Sequence, residues 1–226
     1  MPVEYRIISI GTLSHNLLWK EAAAVRTPHA TTTLVIHGKR RILVDPSLPG
    51  RILEGRLFER TGQNTESITD VFCTTLRPDS RRALEVFNHA AWWCSETELE
   101  WYTGHLTGLI DSAHRLDSEE ARNVEKDLAL VRRFRPAPEK FGDQVGLYPL
   151  TGPTVGCTGL LLTPATSTVV IAGPAAPTAE HIEKGMIWEQ CTDRDMAMQS
   201  LVDLLELADV IVPGFDNVVL SPRRWI

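Results

Sequence analysis

The feature that most constrains this chain is a pattern that occurs twice. Residues 31–46, TTTLVIHGKRRILVDP, and residues 158–174, TGLLLTPATSTVVIAGP, each set two apolar runs on either side of a short polar turn and end in a tight turn. Short apolar runs bounded by turn residues predict β-hairpins, and the second strand of each is apolar enough to be buried. Two copies this far apart form a weak internal repeat, not a short-period solenoid. They divide residues 1–226, taken as one domain, into halves of about 1–135 and 139–226. Pro136-Ala137-Pro138 marks the break.

The intervening segments read in the same way. Residues 3–10 predict a strand, and residues 50–61 a helix that places Ile52, Leu53, Leu57 and Phe58 near helical spacing and stops at Gly62. Residues 68–74 form a β-branched run before the polar turn Arg77-Pro78-Asp79-Ser80. A short helix over 80–88, a buried strand over 90–93 and a charged helix over 118–134 follow, the last with Val124, Leu128 and Val131 on one side. Residues 193–207 put Ala197, Leu201, Leu204, Leu205 and then Ala208 on one helical face, and a buried strand at 210–212 ends at Pro213-Gly214. Hairpins in both halves, with helices between and after them, predict an α/β fold. It is a four-layer αββα sandwich of two mixed sheets flanked by helices.

Composition excludes several function classes. The 29 acidic residues exceed the 23 basic ones, for a net charge of -6, and the basic residues are scattered. No electrostatic footprint for nucleic acid results. Apolar runs are broken well before a membrane span, and the N-terminal segment lacks a basic start and a long apolar stretch, so the chain reads as cytoplasmic. Cys73, Cys94, Cys157 and Cys191 make no CxxC and no Cys/His pair at zinc-finger spacing, so they read as buried thiols.

Five segments in order carry a resemblance to the metallo-β-lactamase fold superfamily, from about Ile7 to Asn217. TTLVIHGKRRILVDPSLP resembles the opening hairpin that ends in the family's first-motif Asp, here Asp45. ITDVFCTTLRPDS stands where the family has a strand and then T-H-x-H-x-D-H. TGPTVGCTG resembles G-H-T-x-G-x-x-G, VVIAGPAA the strand ending in a Gly-Asp turn, and ADVIVPGFDN the segment A-D-x-I-x-P-G-H-D.

The resemblance implies zinc held by seven side chains, whose bound water ionises near neutral pH and attacks an ester, thioester or amide. Carried over position by position, those ligands fall on Thr75, Arg77, Asp79, Ser80, Pro153, Pro174 and Phe215. Asp79 alone keeps the family's residue. Pro and Phe offer no donor atom, Thr and Ser hydroxyls are poor zinc ligands, and Arg77 brings a positive charge to a cation's place. The resemblance with these departures implies a pseudoenzyme: a metallohydrolase-like fold with a degenerate metal site and no zinc or other cofactor, acting as a binding or assembly protein. A small molecule, a second copy or an active relative is its partner, and a residual cleft is expected around Asp45, Arg77, Asp79 and Cys157. Arg77 is expected either to fill the metal's place, paired to Asp79, to Asp45 or to both, or to point into solvent.

The alternative is an active hydrolase of an ester, thioester or lactone, with a relocated metal site or none. His15, His29 and His105 are the imidazoles for a relocated zinc; a metal-free site would use Asp45, Asp79, Cys157 or a His, with Ser80 and the Ser14-His15 pair as parts of a Ser/His/Asp arrangement. No G-x-S-x-G elbow supports the serine reading. Trp92, Trp93 and Trp101 read as core or as an interface, and Trp225 as a contact with a second subunit.

Overall fold

In a computed structural model, which describes residues 2–112 and 118–222, the strands divide between two sheets in chain order. The first sheet runs β1 (Glu4–Ser9), β2 (Thr32–His37), β3 (Arg40–Val44), β4 (Asp70–Phe72), β5 (Ala91–Cys94) and β6 (Arg135–Pro136). The second runs, edge to edge, β7 (Lys140–Gly142), β8 (Val145–Pro149), β9 (Thr158–Leu162), β10 (Val169–Gly173), β11 (Val210–Pro213) and β12 (Val219–Leu220). Strands β1, β2 and β3 pair antiparallel and β4 joins parallel. Strands β8, β9 and β10 pair antiparallel and β11 joins parallel. The repeated hairpins are therefore β2–β3 and β9–β10, in the same place within the same succession. In the first, His37 pairs with Arg40 across a two-residue loop, and Gly38 at φ +61° supplies the conformation that such a loop asks of its first residue.

Three apolar layers hold the sandwich. Between the sheets, Val35, Val44 and Phe72 meet Leu160, Ile171 and Val212. Outside the first sheet lie α1 (Gly50–Thr61), α2 (Glu96–Asp111) and α3 (Ser118–Val131), which bury Leu53, Leu57, Leu106, Leu128 and Val131. Outside the second lie α4 (Ala179–Lys184) and α5 (Arg194–Leu207), with Ile182, Ala197, Leu201 and Leu204 inward. This is the αββα arrangement. Full burial of one Leu stabilises the fold by about 1.5–3 kcal/mol, so these stripes decide which helix face turns inward. Among the described residues, no helix is long and apolar enough to cross a membrane.

Several local expectations are corrected. Helix α1 buries Leu53 and Leu57 and leaves Ile52 and Phe58 exposed, because one helix presents one stripe to one sheet. The helix expected over 80–88 is two short 3₁₀ turns, at Pro78–Ser80 and Leu84–Phe87. Side chains take the carbonyls that flank them: Arg81 Nε donates to Leu76 O at 2.5 Å and Trp92 Nε1 to Phe87 O at 2.9 Å. Helix α2 and the β7–β8 hairpin were not anticipated. Of the tryptophans, Trp92 is core and Trp101 stacks on His105 along α2. Trp225 lies outside the described residues.

Candidate functional site

Loops from both sheets converge at one end of the sandwich. Thr74, just past β4, donates its N–H and its hydroxyl to the two carboxylate oxygens of Asp45, each at 2.8 Å. Thr158 N reaches Thr74 O at 3.1 Å, joining β9 of the second sheet to the same loop. A Cβ on Gly173 would stand 2.3 Å from Thr74 Oγ1, and one on Gly214 would stand 2.6 Å from the Gly173 backbone. Only glycine permits approaches this close. The ends of β3, β4, β10 and β11 thus meet where the first-sheet and second-sheet motifs were expected to meet.

The seven carried-over positions lie on these loops and differ in chemistry. Thr75 and Ser80 are buried, with their hydroxyl oxygens 3.4 Å apart. Asp79 Oδ1 lies 3.5 Å from Arg77 Nε, an ion-pair approach in which neither atom has a hydrogen-bond partner among the described residues. The Asp79 carbonyl accepts from Ala30 N at 3.0 Å and from the Ser47 hydroxyl. Pro153 and Pro174 are buried. Phe215 is buried against Trp188, their ring centroids 5.2 Å apart, in a cluster with Leu13 and Ala30. The Arg77 guanidinium sits 4.4 Å from the Trp188 ring centroid and donates to Gln190 Oε1 at 2.8 Å. A segment from the α4–α5 connection therefore packs beside Phe215 and Arg77.

Two buried carboxylates control the electrostatics. Asp45 is held at a left-handed φ of 49° and burial pushes its carboxyl up to about 7; the bonds from Thr74 pull it down and the Asp79 charge pushes it up again. Glu98, from the first turn of α2, is fully buried. It accepts from Leu76 N at 2.9 Å and from Gly156 N at 3.1 Å, so one side chain ties the loop after β4 to the loop before β9. Burial raises its carboxyl as well, opposed by those two N–H groups. Arg81 completes the support, its guanidinium 2.6 Å from Asp127 on α3.

The expected cleft of Asp45, Arg77, Asp79 and Cys157 is corrected. Asp45 and Cys157 are sealed from solvent, whereas the Arg77 and Asp79 side chains remain 28% and 12% exposed, so the four do not line one opening. Arg77 reaches Asp79 and not Asp45, which spends its oxygens on Thr74. Burial holds the Cys157 thiol far above its ordinary range, which removes its thiolate. Ser80 faces Thr75 and not an imidazole. Nor do the three imidazoles of the relocated site assemble. His29 Nε2 lies 3.2 Å from Ile10 O, His105 stacks on Trp101 and His15 stands between Ser14 and Glu189. Among the described residues no group of three or more His, Cys, Asp and Glu side chains could hold a metal ion. The donors at the carried-over positions do not fit a zinc site, for they offer one carboxylate and that carboxylate faces a guanidinium.

Sequence reasoning missed Glu98 and Trp188. Glu98 had a signal, since Ser95-x-x-Glu98 has the spacing of a capping box and Ser95 Oγ does accept from Glu98 N at 3.1 Å. Trp188 had none, because nothing in its neighbours marks a residue that will be packed against another loop.

No protein-family model matches the chain, and no curated protein matches its sequence. Solved structures do match. A Thermotoga maritima protein, provisionally described as a metallo-β-lactamase, superposes with a TM-score of 0.72 at 18% identity over 97% of this chain and 100% of its own. AidC, a dizinc quorum-quenching lactonase, gives 0.64 at 16% over 91% and 80%. An N-acyl homoserine lactone hydrolase, with its product bound at the catalytic metal centre, gives 0.61 at 16% over 95% and 93%.

Proposed function

For a chain that has the metallo-β-lactamase fold, we infer a protein that no longer performs metal-dependent hydrolysis and that works by binding a small molecule or a protein partner. The neighbours in structure are hydrolases, among them lactonases, but a shared fold does not carry a shared activity. The observation that carries the reading is the set of side chains at the carried-over ligand positions. They supply one carboxylate, Asp79, beside Arg77, together with two prolines and a phenylalanine packed on Trp188. Zinc needs three or four nitrogen, sulfur or oxygen donors arranged around one point. In their place the chain provides apolar contact and a cation, a combination suited to rigid packing.

The apolar layer between the sheets supports taking both halves as one domain. The partner we propose is a small molecule at the loop end, with a second copy or an active relative as the protein partner. Elemental analysis of protein purified without a chelator or metal-affinity tag tests the reading, alongside turnover of a lactone, an ester and a thioester with and without EDTA. Less than about a tenth of an equivalent of zinc, iron or manganese, with no EDTA-sensitive turnover, is expected. A full equivalent of metal that survives dialysis, or lactone opening abolished by EDTA, overturns it.

A further inference from the structure

Beside the loop end, three side chains from two distant segments stand in line. Ser14 Oγ lies 3.2 Å from His15 Nδ1, and His15 Nε2 lies 3.5 Å from Glu189 Oε1. Glu189 Oε1 is buried and has no hydrogen-bond partner among the described residues, so His15 is the group placed to supply it with a proton donor. A buried carboxylate oxygen left without a donor is costly, which favours the ring tautomer that carries its proton on Nε2. That tautomer leaves the Nδ1 lone pair facing the Ser14 hydroxyl. A nucleophile, a base within reach and a third group that fixes the base's tautomer are the parts of nucleophilic acyl transfer. The loop that carries them is fixed: Ser14 O accepts from Val25 N at 2.9 Å and from Arg26 N at 3.1 Å. The side chains of His15 and Glu189 are 23% and 28% exposed, so an ester can approach from solvent.

We propose that Ser14, His15 and Glu189 form a metal-independent acyl-transfer site for small esters, a function beyond the binding role and independent of it. Ser14 Oγ attacks the ester carbonyl as its proton passes to His15 Nδ1, forming the Oγ–C bond. Collapse breaks the carbon–oxygen bond to the leaving group, which takes the proton back from His15. Water, deprotonated in turn by His15, then releases the acid and restores the Ser14 hydroxyl. Glu189 acts as a positioning residue by holding the Nε2 proton.

The test uses the full chain with p-nitrophenyl acetate in excess EDTA, following p-nitrophenolate release and locating the acetyl group by peptide mass spectrometry. A burst of about one equivalent per chain, followed by slower turnover, with the acetyl group trapped on Ser14 is expected, as the acyl-enzyme intermediate requires. Ser14→Ala should abolish it, and His15→Gln should slow it at least about a hundredfold, the lower end of what a general base supplies. Glu189→Gln should slow it less and alter its pH profile. Acetylation of other side chains only, no release above buffer, or an unchanged rate in His15→Gln overturns the proposal. Both His15→Gln and Glu189→Gln alter partly exposed side chains, so either keeps the test open if Ser14→Ala fails to fold. Release that EDTA abolishes would count against the metal-free reading of the whole site, whereas EDTA-resistant release lost in Ser14→Ala supports this proposal alone.

Discussion

The two sheets end in the same topology at the candidate site and fill it in opposite ways. From the first sheet come Asp45, Thr74, Thr75, Asp79 and Ser80, a polar group whose members bond to one another and to nearby backbone. From the second come Pro153, Pro174 and Phe215, with Trp188 packed on the last. The polar side keeps its shape through specific hydrogen bonds, which fail when one partner is removed. The apolar side keeps its shape through packing, which fails by leaving a void. One site is thus held by two kinds of force, and substitutions can separate them.

The largest effect is expected on the apolar side. Trp188→Ala empties a buried volume beside Phe215 and Arg77 and should cost about 3–5 kcal/mol in urea unfolding; a loss below about 1 kcal/mol would mean that the second-sheet side is not packed. Next is Glu98→Ala, which strands the N–H groups of Leu76 and Gly156 away from water. Each unsatisfied group costs about 1–3 kcal/mol, and removal of a carboxylate held away from water offsets part of the sum, so a loss of about 2–4 kcal/mol is expected, with Glu98→Gln milder because it keeps one acceptor. If Ala and Gln variants unfold at the same urea concentration, Glu98 does not tie the two loops.

Asp45→Asn should sharpen the polar side through pH. A carboxyl raised to about 7 in the fold, against 3.8 for an ordinary Asp, binds more protons folded than unfolded. Its contribution is therefore present below about pH 4, falls as pH rises toward about 7 and stays low above that. The variant removes this slope, and asparagine accepts the left-handed φ at this position. Relative to the parent chain the variant should therefore gain stability between pH 4 and pH 8. Parallel unfolding midpoints for the two proteins across that range would contradict the assignment. The smallest effect is expected from Arg77→Ala, about 1 kcal/mol by thermal unfolding. A guanidinium left partly exposed over Trp188 and beside Asp79 gains less than a buried ion pair.

What the sequence disclosed follows the same division. The hairpins were legible because β-branched residues and turn residues alternate on a fixed period, and α5 because Ala197, Leu201 and Leu204 repeat on one face. The 75–80 loop was legible from its strand-end position, and Asp45 from the resemblance of its segment to the family's opening hairpin. Helix α2 was hidden because its Trp101-Tyr102-Thr103-Gly104 stretch has no apolar stripe long enough to set a period. Glu98 was hidden within the acidic run Glu96-Thr97-Glu98-Leu99-Glu100, where a solvated helix start is the ordinary reading. Its burial comes from the two loops that close over it, and those contacts span 22 and 58 residues of sequence. The Ser14-His15 pair was visible, but its third member lies on the distant α4–α5 connection and had no marker of its own.

The order of strands has a consequence for biosynthesis. Strands β1 to β6 are complete by Pro136, and β7 begins at Lys140, so among the described residues no hydrogen-bonded strand pair crosses that short link. A ribosome releasing the chain from its N-terminus frees every strand of one sheet before the first of the other, and the inter-sheet layer then waits for its opposite face. Two fragments divided within residues 137–139 would each carry an intact set of strand partners. Mixed together, they are suited to reassemble through the apolar surface that either one alone would leave open to aggregation.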